Sequence, residues 1–186
     1  MNKELNLLHK KIRACKKCSL WKTRTSAVPG EGSSNAKIMF IGLSPGATED
    51  KTGKPFVGRA GKLLDELLNS IKLRRKDVFI TSVLRCHPPK NRLPKAKEVA
   101  ACLPYLQKYI EIINPRIIVL LGNVAIKTVL GKMNGINKIH GKTMRRDGKT
   151  YFLTFHPAAG IRATRTKIKL QQDFEKLKNM LKLKIP

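Results

Sequence analysis

Acidic residues are scarce in this chain: 12 Asp and Glu face 39 Lys and Arg, for a formal net charge of +27. A charge of that size goes far beyond what solubility requires. The expected partner is a polyanion, and nucleic acid outranks a membrane surface because the basic residues are spread along the whole chain. Long apolar runs are missing too. None approaches the roughly 18 residues of a membrane span, and Met1-Asn2-Lys3-Glu4-Leu5 lacks the apolar stretch of a signal peptide, so the expectation is an intracellular, cytoplasmic protein. Neither phosphate-binding signature occurs. The absence of G-x-x-x-x-G-K-[ST], and of G-x-G-x-x-G after a strand, argues against the usual nucleotide folds.

What is present centres on the stretch from Ile38 to Gly61. The apolar run that opens it suits a fully buried strand, Lys37 to Gly42, and breaks at Gly42-Leu43-Ser44-Pro45-Gly46, where glycine and proline permit tight turns beside a ligand. Leu63, Leu64, Leu67, Leu68 and Ile71 then recur at helical spacing. Strand, glycine-rich loop and helix open a βαβ unit, whose ligand crevice lies beyond the strand's carboxyl end. Phe56, carried on that loop, can offer its face to a planar ligand or serve as a core residue.

Further strands are expected at Val78 to Leu84, Arg116 to Gly122 and Tyr151 to Phe155, with helices at Lys97 to Ile113 and Asn123 to Leu130. Leu5, Leu8 and Ile12 mark an N-terminal helix, and Trp21 to Asn35 reads as irregular. Ile161 to Pro186, with Ile168, Phe174, Leu177 and Leu181 amid lysines, reads as a docked C-terminal helix; a basic helix lying on a membrane or binding a partner is the alternative. Together these predict one α/β domain over residues 1–186, a three-layer α/β/α sandwich on a four-stranded, mostly parallel sheet. In such a sheet Leu43-Ser44, Arg85-Cys86-His87 and His156-Pro157-Ala158-Ala159 gather on one edge.

All four cysteines can be accounted for as one set. Cys15 and Cys18 form a C-x-x-C, while Cys86 and Cys102 sit 16 positions apart. Disulfides are not expected in an intracellular chain, and four convergent thiolates suit tetrahedral zinc or a 4Fe-4S cluster. Spacing alone does not choose between these, and unrelated buried thiols beside a redox C-x-x-C remain a third reading.

Cys15-x-x-Cys18, Gly42-x-x-Pro45-Gly46-x-x-Glu49-Asp50, Pro55-Phe56-Val57-Gly58-x-Ala60-Gly61, Cys86-x-Pro88-Pro89-x-Asn91-Arg92, Cys102 and His156-Pro157-Ala158-Ala159 occur in this order. The series resembles the iron-sulfur uracil-DNA glycosylases, the family 4 branch of that superfamily, nearly end to end. The resemblance implies a monofunctional DNA repair hydrolase that flips a deaminated base, uracil first of all, out of DNA and cuts its N-glycosidic bond. It implies a 4Fe-4S cluster on Cys15, Cys18, Cys86 and Cys102. It assigns catalysis to His156, Leu43 and Ser44, and base binding to Gly42, Leu43, Ser44, Glu49, Phe56, Ser82 and His156. Ile161 is implied as the wedge entering the base stack, with Arg162 and Arg165 holding flanking phosphates. A monomer associated with the nucleoid, with a sliding clamp as a further partner, completes the picture.

Two residues depart from the pattern. Leu43 stands where family 4 members usually carry a glutamate and resembles the family 5 branch, and Ser82 stands where they usually carry an asparagine. Without the carboxylate at position 43, Glu49 and Asp50 become alternatives for orienting water, although the resemblance gives Glu49 a wall-shaping role. Serine offers one hydroxyl in place of an amide that fits O4 and N3–H of uracil. Hypoxanthine or xanthine therefore enter as alternative substrates. A DNA-binding homologue without turnover and an electron-transfer module are the rival classes.

Overall fold

The computed structural model describes residues 2–131 and 134–184; Ile185 and Pro186, at the end of the C-terminal segment, lie outside the described residues. Four short apolar strands form the centre: β2 (Ile38–Gly42), β3 (Phe79–Ser82), β4 (Ile117–Leu121) and β6 (Lys149–Thr154). They run parallel in the order β3-β2-β4-β6, as the alternation of strand and helix predicts. The expected count of four is corrected to six, because β1 (Glu31–Gly32) and β5 (Lys142–Arg146) pair antiparallel at the two edges. Both are short or polar. The residues of β1 are exposed, and those of β5 are mostly so, hence neither carries the apolar signature of a buried strand.

Alternation along the central strands sends side chains into two separate cores. Ile38, Phe40, Ile117 and Val119 face one layer, formed by α3 (Arg59–Ser70) and α8 (Thr164–Lys184). Leu63, Leu64, Leu67 and Leu68 of α3 and Leu170, Phe174 and Leu177 of α8 are buried there. Ile168 is the exception to the predicted apolar face, at 50% exposed. On the opposite side Met39, Ile41, Ile118 and Leu120 meet α1 (Lys3–Arg13), α4 (Ala96–Ile113) and α5 (Asn123–Leu130). Cys86 and Cys102 belong to this second core, while Phe56 belongs to the first. The sheet therefore separates the two sets of candidate residues.

Three short helices complete the chain: α2 (Ala47–Thr52), α6 (Ile136–Ile139) and α7 (Pro157–Arg162). Two of them follow strand ends at the crevice. α2 follows β2 through Leu43 to Gly46, and α7 follows β6 through Phe155 and His156.

Candidate active site and cysteine cavity

Glu49 organises the crevice. As the third residue of α2 its carboxylate accepts from Gly46 N at 3.0 Å, the one half of a capping box that a glycine N-cap permits. Its other oxygen accepts from Val57 N at 2.9 Å and Gly58 N at 2.7 Å, so one buried side chain ties the Gly42–Gly46 loop to the Pro55–Gly58 loop. Asp50 does the same for the preceding segment, accepting from Thr25 N at 2.8 Å and Ser26 N at 3.4 Å. Both carboxylates are held by backbone N–H groups and shape the walls.

Phe56 adopts φ 52°, a left-handed conformation that an aromatic residue rarely takes unless its surroundings enforce it. Arg75 is what enforces it. Its guanidinium donates to Phe56 O at 2.9 Å and Pro55 O at 2.6 Å, and is itself fixed by Asp65 at 2.9 Å. A Cβ on Gly61 would collide with the Phe56 backbone, and one on Gly42 with the Phe56 ring. The ring lies 5.6 Å from that of His156, centroid to centroid, with the planes 25° apart. Sequence reasoning missed Arg75. An exposed-looking arginine in a run of basic residues carries no signal of a backbone clamp.

His156 caps α7, and its Nδ1 accepts from Ala158 N at 3.1 Å. An accepting Nδ1 assigns the proton of the neutral ring to Nε2. That Nε2 is shielded from water, has no protein partner, and points toward Gly42. Burial, followed by the repulsion of Arg162, lowers the His156 pKa from 6.5 to about 4, with Glu49 opposing weakly. The ring is thus a neutral imidazole with one free donor aimed at the crevice.

This has a consequence for stability. A histidine whose pKa is depressed on folding takes up fewer protons than the unfolded chain between pH 6.5 and about 4, so stability falls as pH drops through that window and is flat above it. The shift corresponds to about 3 kcal/mol. His9, half-buried with its ring edge on Tyr109 and also lowered to about 4 by desolvation and then by Arg13 and Arg85, acts in the same direction. Urea unfolding of wild type and His156→Asn at the two ends of the window checks this. The variant should show a shallower acid loss, and parallel curves would contradict it.

Ser82 ends β3, buried, and pairs in register with Gly42. Beyond the strands Val83 N donates to Gly42 O at 2.9 Å and Leu84 N to Leu43 O at 3.0 Å, so the ladder carries Leu43 and Ser44, both half-buried, to the crevice mouth. Of the three stretches expected to gather on one edge, the turn before Leu43-Ser44 meets His156 at Gly42, and His87 reaches the same loop only through Asn91, which lies 3.1 Å from its Nε2 and within reach of Gly46. Arg85 instead turns back under the sheet.

There it meets the cysteines. Cys15, Cys18, Cys86 and Cys102 line one pocket with Lys17, Trp21, Arg24, Arg85, Ala101 and Tyr105. α1 ends at Arg13, so Cys15 and Cys18 lie on the loop that follows it, while Cys102 is on α4. Arg24 donates to Cys86 Sγ at 3.0 Å. Burial pushes the Cys86 thiol up to about 11 and raises that of Cys102, with Arg24 opposing the first and Arg85 the second. Among the described residues no three His, Cys, Asp or Glu side chains are grouped closely enough to hold a single metal ion.

A second, open groove runs between α3, α7 and α8 and includes Arg59, Lys62, Ile161 and Lys167. Ile161 is half-buried and packs partly on the first core, so it sits at the groove wall rather than projecting freely. Arg162 and Arg165 are exposed. Among the described residues no helix is long and apolar enough to cross a membrane.

Comparison with known proteins assigns the class. Residues 29–182 match the Uracil DNA glycosylase superfamily, and the chain belongs to it. Within that superfamily it is 47% identical over 189 residues to the type-4 uracil-DNA glycosylase of Saccharolobus solfataricus, covering 97% of this chain and 88% of that one. It is 42% identical to the type-4 enzyme of Thermotoga maritima, across 96% of this chain and 95% of the relative. A type-5 uracil-DNA glycosylase of Pyrobaculum aerophilum is 30% identical over 79% of this chain and 72% of its own. The type-4 likeness thus extends through the N-terminal segment that holds Cys15 and Cys18.

Proposed function

We propose that the chain is a uracil-DNA glycosylase of DNA repair, which turns uracil out of DNA and hydrolyses its N-glycosidic bond to leave an abasic site. The observation that carries this reading is the neutral, water-shielded His156 with its unpartnered Nε2–H beside Phe56 and Gly42. A departing uracil takes the bonding electrons as an anion, and a donor already in place stabilises the charge as it develops on O2. A neutral donor suits this task, because it stabilises the anion without transferring a proton to it. Phe56, locked by Arg75, stacks on the flipped base, and Ser82 reads its edge.

Leu43 supplies no carboxylate, and those of Glu49 and Asp50 already accept backbone N–H bonds. Water is therefore oriented by backbone groups of the Leu43 and Ser44 turn. Ile161 fills the space that the base vacates, while Arg162 and Arg165 bind flanking phosphates.

The four cysteines fit a 4Fe-4S cluster. Four thiols line one cavity, yet they are not grouped as a single tetrahedral ion requires, and a cluster spreads its thiolates over four irons. When bound, the group supplies a cross-link between the N-terminal segment and the connection from Cys86 to Cys102. This reading takes residues 1–186 as one domain, acting as an intracellular, nucleoid-associated monomer with a sliding clamp as a candidate partner.

Incubation with matched oligonucleotides bearing uracil, hypoxanthine, xanthine or thymine, followed by cleavage at abasic sites, tests the function. Uracil strands should be cut, and failure on every substrate would overturn the reading. In the same assay Ser82→Asn should raise the preference for uracil over the other bases by about 1–3 kcal/mol, roughly 5- to 150-fold. An unchanged ranking would show that another group reads the base.

A further inference from the structure

Arg85 is only 1% exposed, among the largest fully buried side chains of the protein. A guanidinium stays charged in proteins, and burying one without an anion is strongly unfavourable. Its Nη1 donates to Ser82 O, which ties the fork to the backbone at the end of β3, on the side of the sheet where Tyr109 and the cysteines lie. The other two nitrogens, Nε and Nη2, have no partner in the protein. The guanidinium carbon lies 5.0 Å from the Tyr109 ring centre, a contact that offsets only part of the missing solvation. Among the described residues no carboxylate pairs with it, and it lines the pocket of the four cysteines.

Resting on the cluster reading above, we propose that Arg85 is the built-in counter-cation of the group held by Cys15, Cys18, Cys86 and Cys102. Four thiolates around an iron-sulfide core carry net negative charge, which the half-exposed Arg24 at the rim meets from one side only. Arg85 meets it from the dry side. The two charges account for each other: the cation is tolerable in the core because the anionic group is there, and the group is retained because the cation is there. A fixed positive charge also favours the more reduced, more negative state of the group, so it raises its reduction potential.

The test uses purified wild type, Arg85→Gln and Arg85→Lys, each assayed for iron per chain, midpoint potential, and Tm before and after the metal is stripped by a chelator. Gln keeps a donor for Ser82 O and loses the charge, whereas Lys keeps the charge and loses the fork. Arg85→Gln should have a more negative potential and release iron faster, and Arg85→Lys should stay near wild type in both. The Tm order should invert: with metal, wild type is more stable than Arg85→Gln, and without metal it is less stable. Equal potentials and equal iron retention in wild type and Arg85→Gln would overturn the proposal. So would an Arg85→Gln chain that fails to fold with or without iron, since the residue would then support the core regardless of the group. A wild type that holds no iron is a separate outcome, seen in its metal content, and it overturns the cluster reading and this proposal together.

Discussion

His156→Ala should release uracil roughly 100- to 1,000-fold more slowly than wild type while binding DNA about as tightly. The rate falls because the buried, unpartnered Nε2–H donor is lost where charge develops. Affinity holds because phosphate contacts from a chain of net charge +27 supply most of the binding. Alanine also removes the acceptor for Ala158 N, so part of the loss could come from a frayed α7. His156→Asn separates the two effects, since its side-chain oxygen can cap the helix while its amide is too short to reach the leaving base. Single-turnover rates should be low in both variants, with wild-type thermal stability recovered only in Asn. A His156→Asn enzyme as fast as wild type would place the donor elsewhere.

Cys86→Ala should abolish the broad visible absorption of the purified protein and lower its stability to heat and protease. Cys86 is buried and lines the pocket, so on the cluster reading its loss leaves the group with three thiolates. Binding of such a group is coupled to folding of the segments that supply its ligands. For a chain of this size each kcal/mol lost lowers Tm by roughly 2–4 °C. Proteolysis should begin between Cys86 and Cys102, where Lys90 and Asn91 adopt left-handed backbone in a basic connection. Iron analysis, visible spectra and limited proteolysis of the two proteins check this. A colourless wild type carrying one zinc per chain would contradict it.

Much of this architecture is legible before any coordinates, because the four parallel strands are dense apolar runs and the faces of α3 and α8 repeat at helical spacing. The edges are harder. β5 reads Lys-Thr-Met-Arg-Arg and its exposed alternation carries little hydrophobic signal, although Asp147-Gly148, both at positive φ, is the turn pair that marks a tight hairpin. β1 is two residues long, and α2 has six residues with no apolar face, signalled only by Glu49 at its third position and Gly53 in left-handed conformation at its end.

At the site, motif residues declare themselves and their supports do not. Gly42, Phe56 and His156 do converge, but the sequence leaves open whether Glu49 meets water or backbone. The answer depends on three N–H groups brought together by tertiary folding. Arg75 and Arg85 are invisible for a related reason. In a chain with 39 basic residues, the two that are turned inward look like all the others.

The protonation state of His156 is the most direct test of the proposed chemistry, and a heteronuclear NMR spectrum of its imidazole nitrogens in wild-type protein reads it. The expected result near neutral pH is a neutral ring with the proton on Nε2 and a bare, hydrogen-bonded Nδ1, unchanged until the pH approaches about 4. An imidazolium at neutral pH, or a proton resident on Nδ1, would contradict it, because the crevice would then hold either a full positive charge or no donor facing the leaving base.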